Sequence, residues 1–274
     1  MIISQETVSL SEIQKKMVSS GWGREVLENT EVKKIIYESD GVNVNGYMAH
    51  PKINSQKLPL IIWNRGGHLK DGIIDDFLAK GIFGEIASWG YVVLASNYRD
   101  EDEFGGKDIN DVIKLFAIAD EIDFCDPLRI GMEGWSRGGM MTYQVLRKTD
   151  KIKCAVIISG LADLLRSEEN RSDLVEVYKK LFGSHNVEEF KKRKEDRSAI
   201  CFANEIDRSA NILLIHGKED KKISYKDSED MYFKLKKNNV NSELELIEGG
   251  DHYLRKQRKE VATLRRNWFE KYLK

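Results

Sequence analysis

Gly134-Trp135-Ser136-Arg137-Gly138-Gly139 has the pattern Gly-x-Ser-x-Gly and falls where a strand gives way to a helix. Arg129–Glu133, just upstream, is a short strand-like run. Downstream, Met140 to Lys148 sets Met140, Met141, Val145 and Leu146 at helical spacing. A serine on so tight a turn presents its hydroxyl from a strained backbone, and the glycines around it let strand and helix approach closely. The pentapeptide alone is weak evidence. Its context and its partners elsewhere in the chain carry the weight.

Outward from the elbow, the short runs Leu60–Trp63, Tyr91–Ala95, Ala155–Ser159, Ile212–His216 and Glu243–Ile247 read as strands. Most are separated by helix-length segments: Ile73–Trp89, Ile109–Asp123, Met140–Lys148 and Ser224–Lys237. Before them, Val32–Tyr37 and Val42–Ala49 flank Asp40-Gly41, a hairpin signal. An antiparallel start followed by strand-helix alternation predicts an α/β fold with a mainly parallel sheet covered on both faces. A last helix is expected over Glu260–Leu273, with Val261, Leu264, Trp268 and Tyr272 on one period. The whole chain, 1–274, reads as one domain. Residues 1–30 are polar and read as an N-terminal extension. Residues 163–206 break the alternation with two helix-like pieces, Ser172–Phe182 and Val187–Glu195, and are expected to form a small helical cap.

A serine hydroxyl is a poor nucleophile near neutral pH. It needs a base within hydrogen-bond reach, and the base needs an orienting acid. Ligands of a parallel sheet gather beyond the carboxyl ends of its strands. Ser136, His68, His216 and His252 all fall there, whereas His50 lies at a strand end near Pro51 and His185 in the expected cap. The chain order serine, acid, histidine selects His252 as base. His216 is read as the strand-end residue that shapes the turn carrying the acid. That turn, Gly217–Lys222, offers Glu219 and Asp220, of which Asp220 is favoured. Asp251 adjoins His252, but sequence neighbours rarely face each other.

An oxyanion needs donors. One is the backbone N–H of Arg137; the second is sought in Asn64–His68, where Gly66 and Gly67 allow a backbone N–H to approach a reacting carbonyl. Arg65 and His68 are candidate substrate contacts. Expected near the serine, the Arg65 and Arg137 side chains could bind a substrate carboxylate, though facing solvent or capping the sheet is the preferred role for them.

Composition narrows the partners. The net charge is -1 with 32% charged and 41% hydrophobic residues, so no basic excess points to nucleic acid or to an anionic membrane. Cys125, Cys154 and Cys201 have no CxxC spacing and read as free thiols of a reducing compartment. The first residues lack a basic stretch leading into an apolar one, and the apolar runs are far short of a membrane span, so a cytoplasmic protein is expected. No cofactor is called for. Acidic pairs such as Asp75-Asp76 lack histidine or cysteine company, so no metal is expected.

Taken in order, these residues resemble the catalytic domain of the prolyl oligopeptidase family of serine peptidases, within the α/β-hydrolase fold. The resemblance runs from about Val32 onward. It includes the Asp40-Gly41 hairpin with Gly46-Tyr47, Arg65-Gly66-Gly67, Asn97-Tyr98-Arg99 and the Gly105–Asp111 segment. It continues through the Ser136 elbow, His216-Gly217 with Asp220, and Gly250-Asp251-His252. It implies an eight-stranded sheet, a Ser136–Asp220–His252 triad and hydrolysis through an acyl-enzyme, with Arg99, Asp108 and Asp111 as structural framework. Three departures bear on substrate. A chain of 274 residues leaves no room for the family's gating propeller, Asn64 and Arg65 stand where a tyrosine often serves the oxyanion, and Arg137 replaces a frequent tyrosine. Acyl hydrolysis therefore transfers better than proline specificity. The expectation is a serine hydrolase acting on a small ester or short peptide. A carboxylesterase or dienelactone-hydrolase-like role stands as alternative, and a binding protein on the same fold comes behind both.

Overall fold

The computed structural model describes residues 1–53, 56–183 and 186–274, so His185 lies outside the described residues. Its strands are β1 (Ile2–Thr7), β2 (Thr30–Ser39), β3 (Val42–Pro51), β4 (Leu58–Asn64), β5 (Val92–Ser96), β6 (Cys125–Trp135), β7 (Ile152–Ile158), β8 (Asn211–Gly217) and β9 (Asn241–Ile247). They form one sheet in the order β1-β2-β3-β5-β4-β6-β7-β8-β9. Pairing is antiparallel from β1 to β5 and parallel from β5 to β9. The β2–β3 hairpin turns at Asp40 and Gly41, with φ of 51° and 79°. Positive φ at both positions matches the twist of the flanking strands.

Period-two alternation sends successive side chains to opposite cores. Leu60 and Ile62 of β4, with Ile212 and Leu214 of β8, enter one; Ile61, Trp63, Leu213 and Ile215 enter the other. The helices are α1 (Glu12–Trp22), α2 (Glu25–Glu28), α3 (Asp76–Ser88), α4 (Asp108–Asp120), α5 (Arg137–Leu146), α6 (Leu164–Asn170), α7 (Ser172–Phe182), α8 (Val187–Glu195), α9 (Ala199–Phe202), α10 (Tyr225–Lys237) and α11 (Arg258–Leu273). Apolar faces of α4, α5 and α10 fill the first core, and those of α3 and α11 the second. Asp75 caps α3 by accepting from Leu78 N, and Asp76 accepts from the Tyr47 hydroxyl at 2.8 Å, which gives that acidic pair structural work. No helix among the described residues is long and apolar enough to cross a membrane.

Two regions differ from a bare strand-helix pattern. Residues 1–30 are built into the fold. β1 adds a ninth strand by pairing with β2 from Ile2–Tyr37 to Thr7–Lys33, and Ser11 opens α1 through a capping box with Gln14. An outer strand with mostly exposed side chains is held by its backbone ladder, which apolar spacing does not register. Residues 163–206 contain α6 to α9, with α7 and α8 at the expected boundaries. Leu164, Leu174, Tyr178, Phe182 and Phe202 are buried in the same core as α4 and α5, so the segment is packed rather than a solvated excursion.

Mid-sheet, Glu133 on β6 is fully buried and accepts from Trp63 Nε1 at 2.8 Å and from Arg265 Nε and Nη2 at 2.9 Å each. Arg265 also donates to Glu85 at 3.1 Å, tying α11 and α3 to the sheet. Removing one partner of a buried ion pair leaves a charge uncompensated. Arg265→Met is therefore expected to lower unfolding free energy by about 3–5 kcal/mol, with part recovered in Glu133→Gln/Arg265→Met. Urea denaturation of the variants checks both values.

Candidate active site

Between β6 and α5 stands one residue, Ser136, with φ 60° and ψ -122°. A side chain held in that region costs on the order of 1–3 kcal/mol and persists only where its surroundings over-determine it. Here they do. Ser136 N donates to Ile158 O at 2.9 Å, and Leu161 N donates to Ser136 O at 3.1 Å, so the end of β7 grips both sides of the turn. A Cβ at Gly134 would come within 2.1 Å of Gly138 O, and one at Gly138 within 2.0 Å of Asn64 O. Only glycine lets the elbow close this tightly against β4.

His252 arrives from the loop after β9 and is 7% exposed. Its Nε2 lies 3.1 Å from Ser136 Oγ and its Nδ1 2.7 Å from Asp220 Oδ2. A carboxylate at Nδ1 requires the proton there, which leaves Nε2 as an acceptor facing the serine hydroxyl. Asp220 comes from the turn after β8. Its Oδ1 accepts from Lys222 N at 2.7 Å and Ile223 N at 3.0 Å. Its Oδ2 also meets Nε2 of fully buried His216 at 3.2 Å. That nitrogen lies 3.1 Å from Ile223 O as well. With two acceptors before it, Nε2 of His216 carries the proton, and Nδ1 takes the Ser228 hydroxyl at 2.7 Å. Burial opposes the Asp220 charge, but hydrogen bonds from His216 and His252 outweigh it and hold the carboxyl well below the ordinary range. Glu219 and Asp251 are exposed, and Asp251 Oδ1 accepts from Tyr253 N instead.

The loop after β4 closes on the same serine. A Cβ at Gly66 would stand 3.1 Å from Ser136 Cβ and 3.7 Å from Oγ, so this backbone lies directly against the hydroxyl. Gly67 adopts φ 72°, and a Cβ there would meet Asp71 O at 2.1 Å. Opposite, Arg137 N is the first N–H of α5, at the end where N–H groups have no partner within the helix and the dipole favours negative charge. His68 is half-buried and lines the cavity. His50 packs against Phe124, outside that lining.

Both arginines flanking the serine are buried. Arg65 is 2% exposed and donates to four backbone carbonyls: Asn97, Gly66, Asp71 and Leu69, at 2.9 to 3.2 Å. Its guanidinium lies over the Tyr98 ring, 4.7 Å from the centroid. As a substrate contact Arg65 is corrected: its donors are spent on folding the loop that carries Gly66 and Gly67. The Arg137 side chain neither reaches solvent nor substrate. It donates to Asp102 at 2.5 and 2.8 Å, to Asp108, and to Gly67 O at 2.9 Å. Asp102 also accepts from Leu69 N at 2.7 Å and Phe104 N at 2.8 Å. One buried ion cluster thus ties the elbow to both neighbouring loops. Asp102 was not singled out in the sequence; the acidic run Asp100–Glu103 is its only local signal. Arg99, by contrast, binds Asp111 and Asp40 as framework.

Ser136 and His252 open into a cavity of about 950 Å³. Its lining includes Gly66, Phe104 and Ile223, together with Leu161 after β7 and Leu174 of the 163–206 segment. Beneath that segment, Asp227 of α10 accepts from Ala162 N and Asp163 N at 3.1 Å each and from Arg166 at 3.3 Å. Burial dominates there and raises the carboxyl from 3.8 to about 6. The fold therefore favours the protonated form. Stability from this group is full below the unfolded value of 3.8 and is lost as pH rises through about 6. Relative to Asp227→Asn, the wild-type unfolding free energy is expected to fall by about 2 kcal/mol between roughly pH 4 and pH 7. Urea titrations at several pH values read this difference, and a pH-independent gap would contradict it.

Comparisons with known proteins identify the family. The profile of the prolyl oligopeptidase family matches residues 84–274. The chain is 26% identical over 255 residues to the uncharacterized peptidase YuxL of Bacillus subtilis, covering 85% of this chain and 38% of that protein. It is 27% identical over 216 residues to the uncharacterized peptidase YtmA of the same organism, covering 76% and 81%. Among solved structures, an acylaminoacyl peptidase of Pyrococcus horikoshii superposes with a TM-score of 0.77 at 23% identity, over 90% of this chain and 42% of that one. A puromycin hydrolase gives 0.75 at 20% identity, over 88% and 39%. The chain thus spans well under half the length of YuxL and of both structures.

Proposed function

The chain belongs to the prolyl oligopeptidase family, and from that membership we propose that it is a serine hydrolase cleaving an amide or ester bond of a short peptide or small acyl substrate, acting as a peptidase. One observation carries the proposal: the unbroken relay from Ser136 Oγ to His252 Nε2, and from His252 Nδ1 to Asp220, at 3.1 and 2.7 Å. Two relatives named as peptidases support amide cleavage over ester cleavage alone.

In this mechanism the substrate carbonyl sits against Gly66, with its carbon above Ser136 Oγ. His252 Nε2 takes the hydroxyl proton as Oγ attacks. Negative charge moves onto the carbonyl oxygen, where the Arg137 N–H and a backbone N–H of Gly66 or Gly67 receive it. Asp220 stays ionised, keeps the His252 tautomer and offsets the imidazolium charge. His216 holds the Asp220 carboxylate from the other side, so the acid has one orientation. His252 then returns the proton to the leaving group, and water releases the acyl group by the reverse steps. Residues 163–206 serve as a cap, with Leu174 closing one wall of the substrate cavity. No step uses a metal or organic cofactor.

Kinetics on blocked aminoacyl p-nitroanilides and matched p-nitrophenyl esters test the proposal. Both are expected to turn over. Ser136→Ala should abolish turnover, and Asp220→Asn should lower kcat by about 10⁴-fold because the wrong tautomer faces the serine. Ester turnover without amide turnover would overturn the peptidase assignment. Turnover of neither by the folded protein would overturn the hydrolase assignment.

A further inference from the structure

Two cations converge on one aromatic ring at the mouth of the cavity, beside His252. Lys222 Nζ donates to the Tyr253 hydroxyl at 2.7 Å and lies 4.9 Å from its ring centroid. The Arg255 guanidinium stands 4.8 Å from the same centroid. Tyr253 meets His252 edge-on, with ring centroids 5.2 Å apart. Lys222, Tyr253 and Arg255 are exposed and line the cavity that holds Ser136.

Neither cation is ion-paired among the described residues, and most carboxylates around them have other partners. Asp220 faces the two imidazoles, and Asp251 takes the Tyr253 N–H. Asp173 is bound by Arg171, Glu248 by Lys218 and Glu85 by Arg258. Asp71 also lines the cavity and pairs with neither cation among the described residues. Cation–π attraction to the ring offsets part of the cost of holding two like charges beside it. A positive potential is left over at a cleft with low-dielectric walls, which focuses it on incoming anions.

The side of the scissile bond follows from the proton path. In the proposed reaction His252 Nε2 delivers its proton to the leaving group. Tyr253, packed edge-on against His252, carries its two cations to that same side. We propose that Lys222, Tyr253 and Arg255 form a clamp for a carboxylate borne by the leaving group close beyond the scissile bond. Tyr253 covers the adjoining apolar part. This rests on the proposed hydrolase reaction for its direction. The carboxylate is either a free C-terminus or an acidic side chain.

The test uses Ser136→Ala, which binds without cutting, and a fluorescent N-blocked peptide in three forms. One has a free C-terminal carboxylate and neutral side chains, one a C-terminal amide with Asp after the scissile position, and one a C-terminal amide with Asn there. Anisotropy titrations at about 20 mM and about 300 mM NaCl give the affinities. At low salt one or both anionic forms should bind about 3- to 10-fold tighter than the neutral form, and the advantage should shrink at high salt. The form that gains identifies the source of the carboxylate. The advantage should vanish in Lys222→Gln/Arg255→Gln and persist in Lys222→Arg/Arg255→Lys, which separates loss of charge from loss of fold. Equal affinity for all three forms, no binding of any, or an advantage that survives the glutamine pair would overturn the clamp. Charge preference without any wild-type turnover would leave the clamp standing and remove the proposed reaction; turnover without charge preference would do the reverse.

Discussion

Ser136 occupies a backbone conformation that a residue with a side chain does not adopt unaided, and the site is organised around holding it there. Below it, β7 and the loop that follows fix the peptide on both sides through Ile158 O and Leu161 N. Beside it, Gly134 and Gly138 permit a contact that any Cβ would break. Above it, the next residue drives a guanidinium into Asp102 and Asp108, so the first turn of α5 cannot rotate without breaking a buried ion cluster. Strain of a few kcal/mol at the elbow is small against these combined constraints. The result is a hydroxyl whose position is set before any substrate arrives.

Arg137 links two functions through one residue. Its backbone N–H is the first of α5 and the donor proposed for the oxyanion, while its side chain reaches Gly67 O and, through Asp102, Leu69 N. The loop that would supply the second donor is therefore tied to the helix that supplies the first. Arg65 completes that loop from within by binding its carbonyls. The same economy appears on the acid side, where Asp220 receives both His252 and His216. A carboxylate with four donors has little freedom to turn, which favours orientation over basicity.

Much of this was legible in the chain, for physical reasons. Buried parallel strands need continuous or alternating apolar runs, so β4 and β8 announce themselves, and the residues just past their ends are the ones that meet. Ser136, Asp220 and His252 were ordered on that basis and lie within hydrogen-bond distance in the structure. Less legible were features that depend on distant partners. Arg65 reads as a surface or substrate-facing cation until Asn97 O and Tyr98 are known to surround it. Arg137 reads likewise until Asp102, which is 35 residues away, is seen beside it. β1 leaves no apolar signature because its pairing energy resides in backbone groups common to every residue. His216 reads as a strand-end residue, but its bond to Asp220 depends on the shape of the turn through Ile223.

The central claim is that Ser136 is an activated nucleophile. Reaction of the native protein with a fluorophosphonate, followed by peptide mass spectrometry, tests it most directly. The account predicts a single stoichiometric adduct on Ser136, and its loss in His252→Ala although the serine remains. A folded protein that gains no adduct at Ser136, or gains it equally without His252, would contradict it.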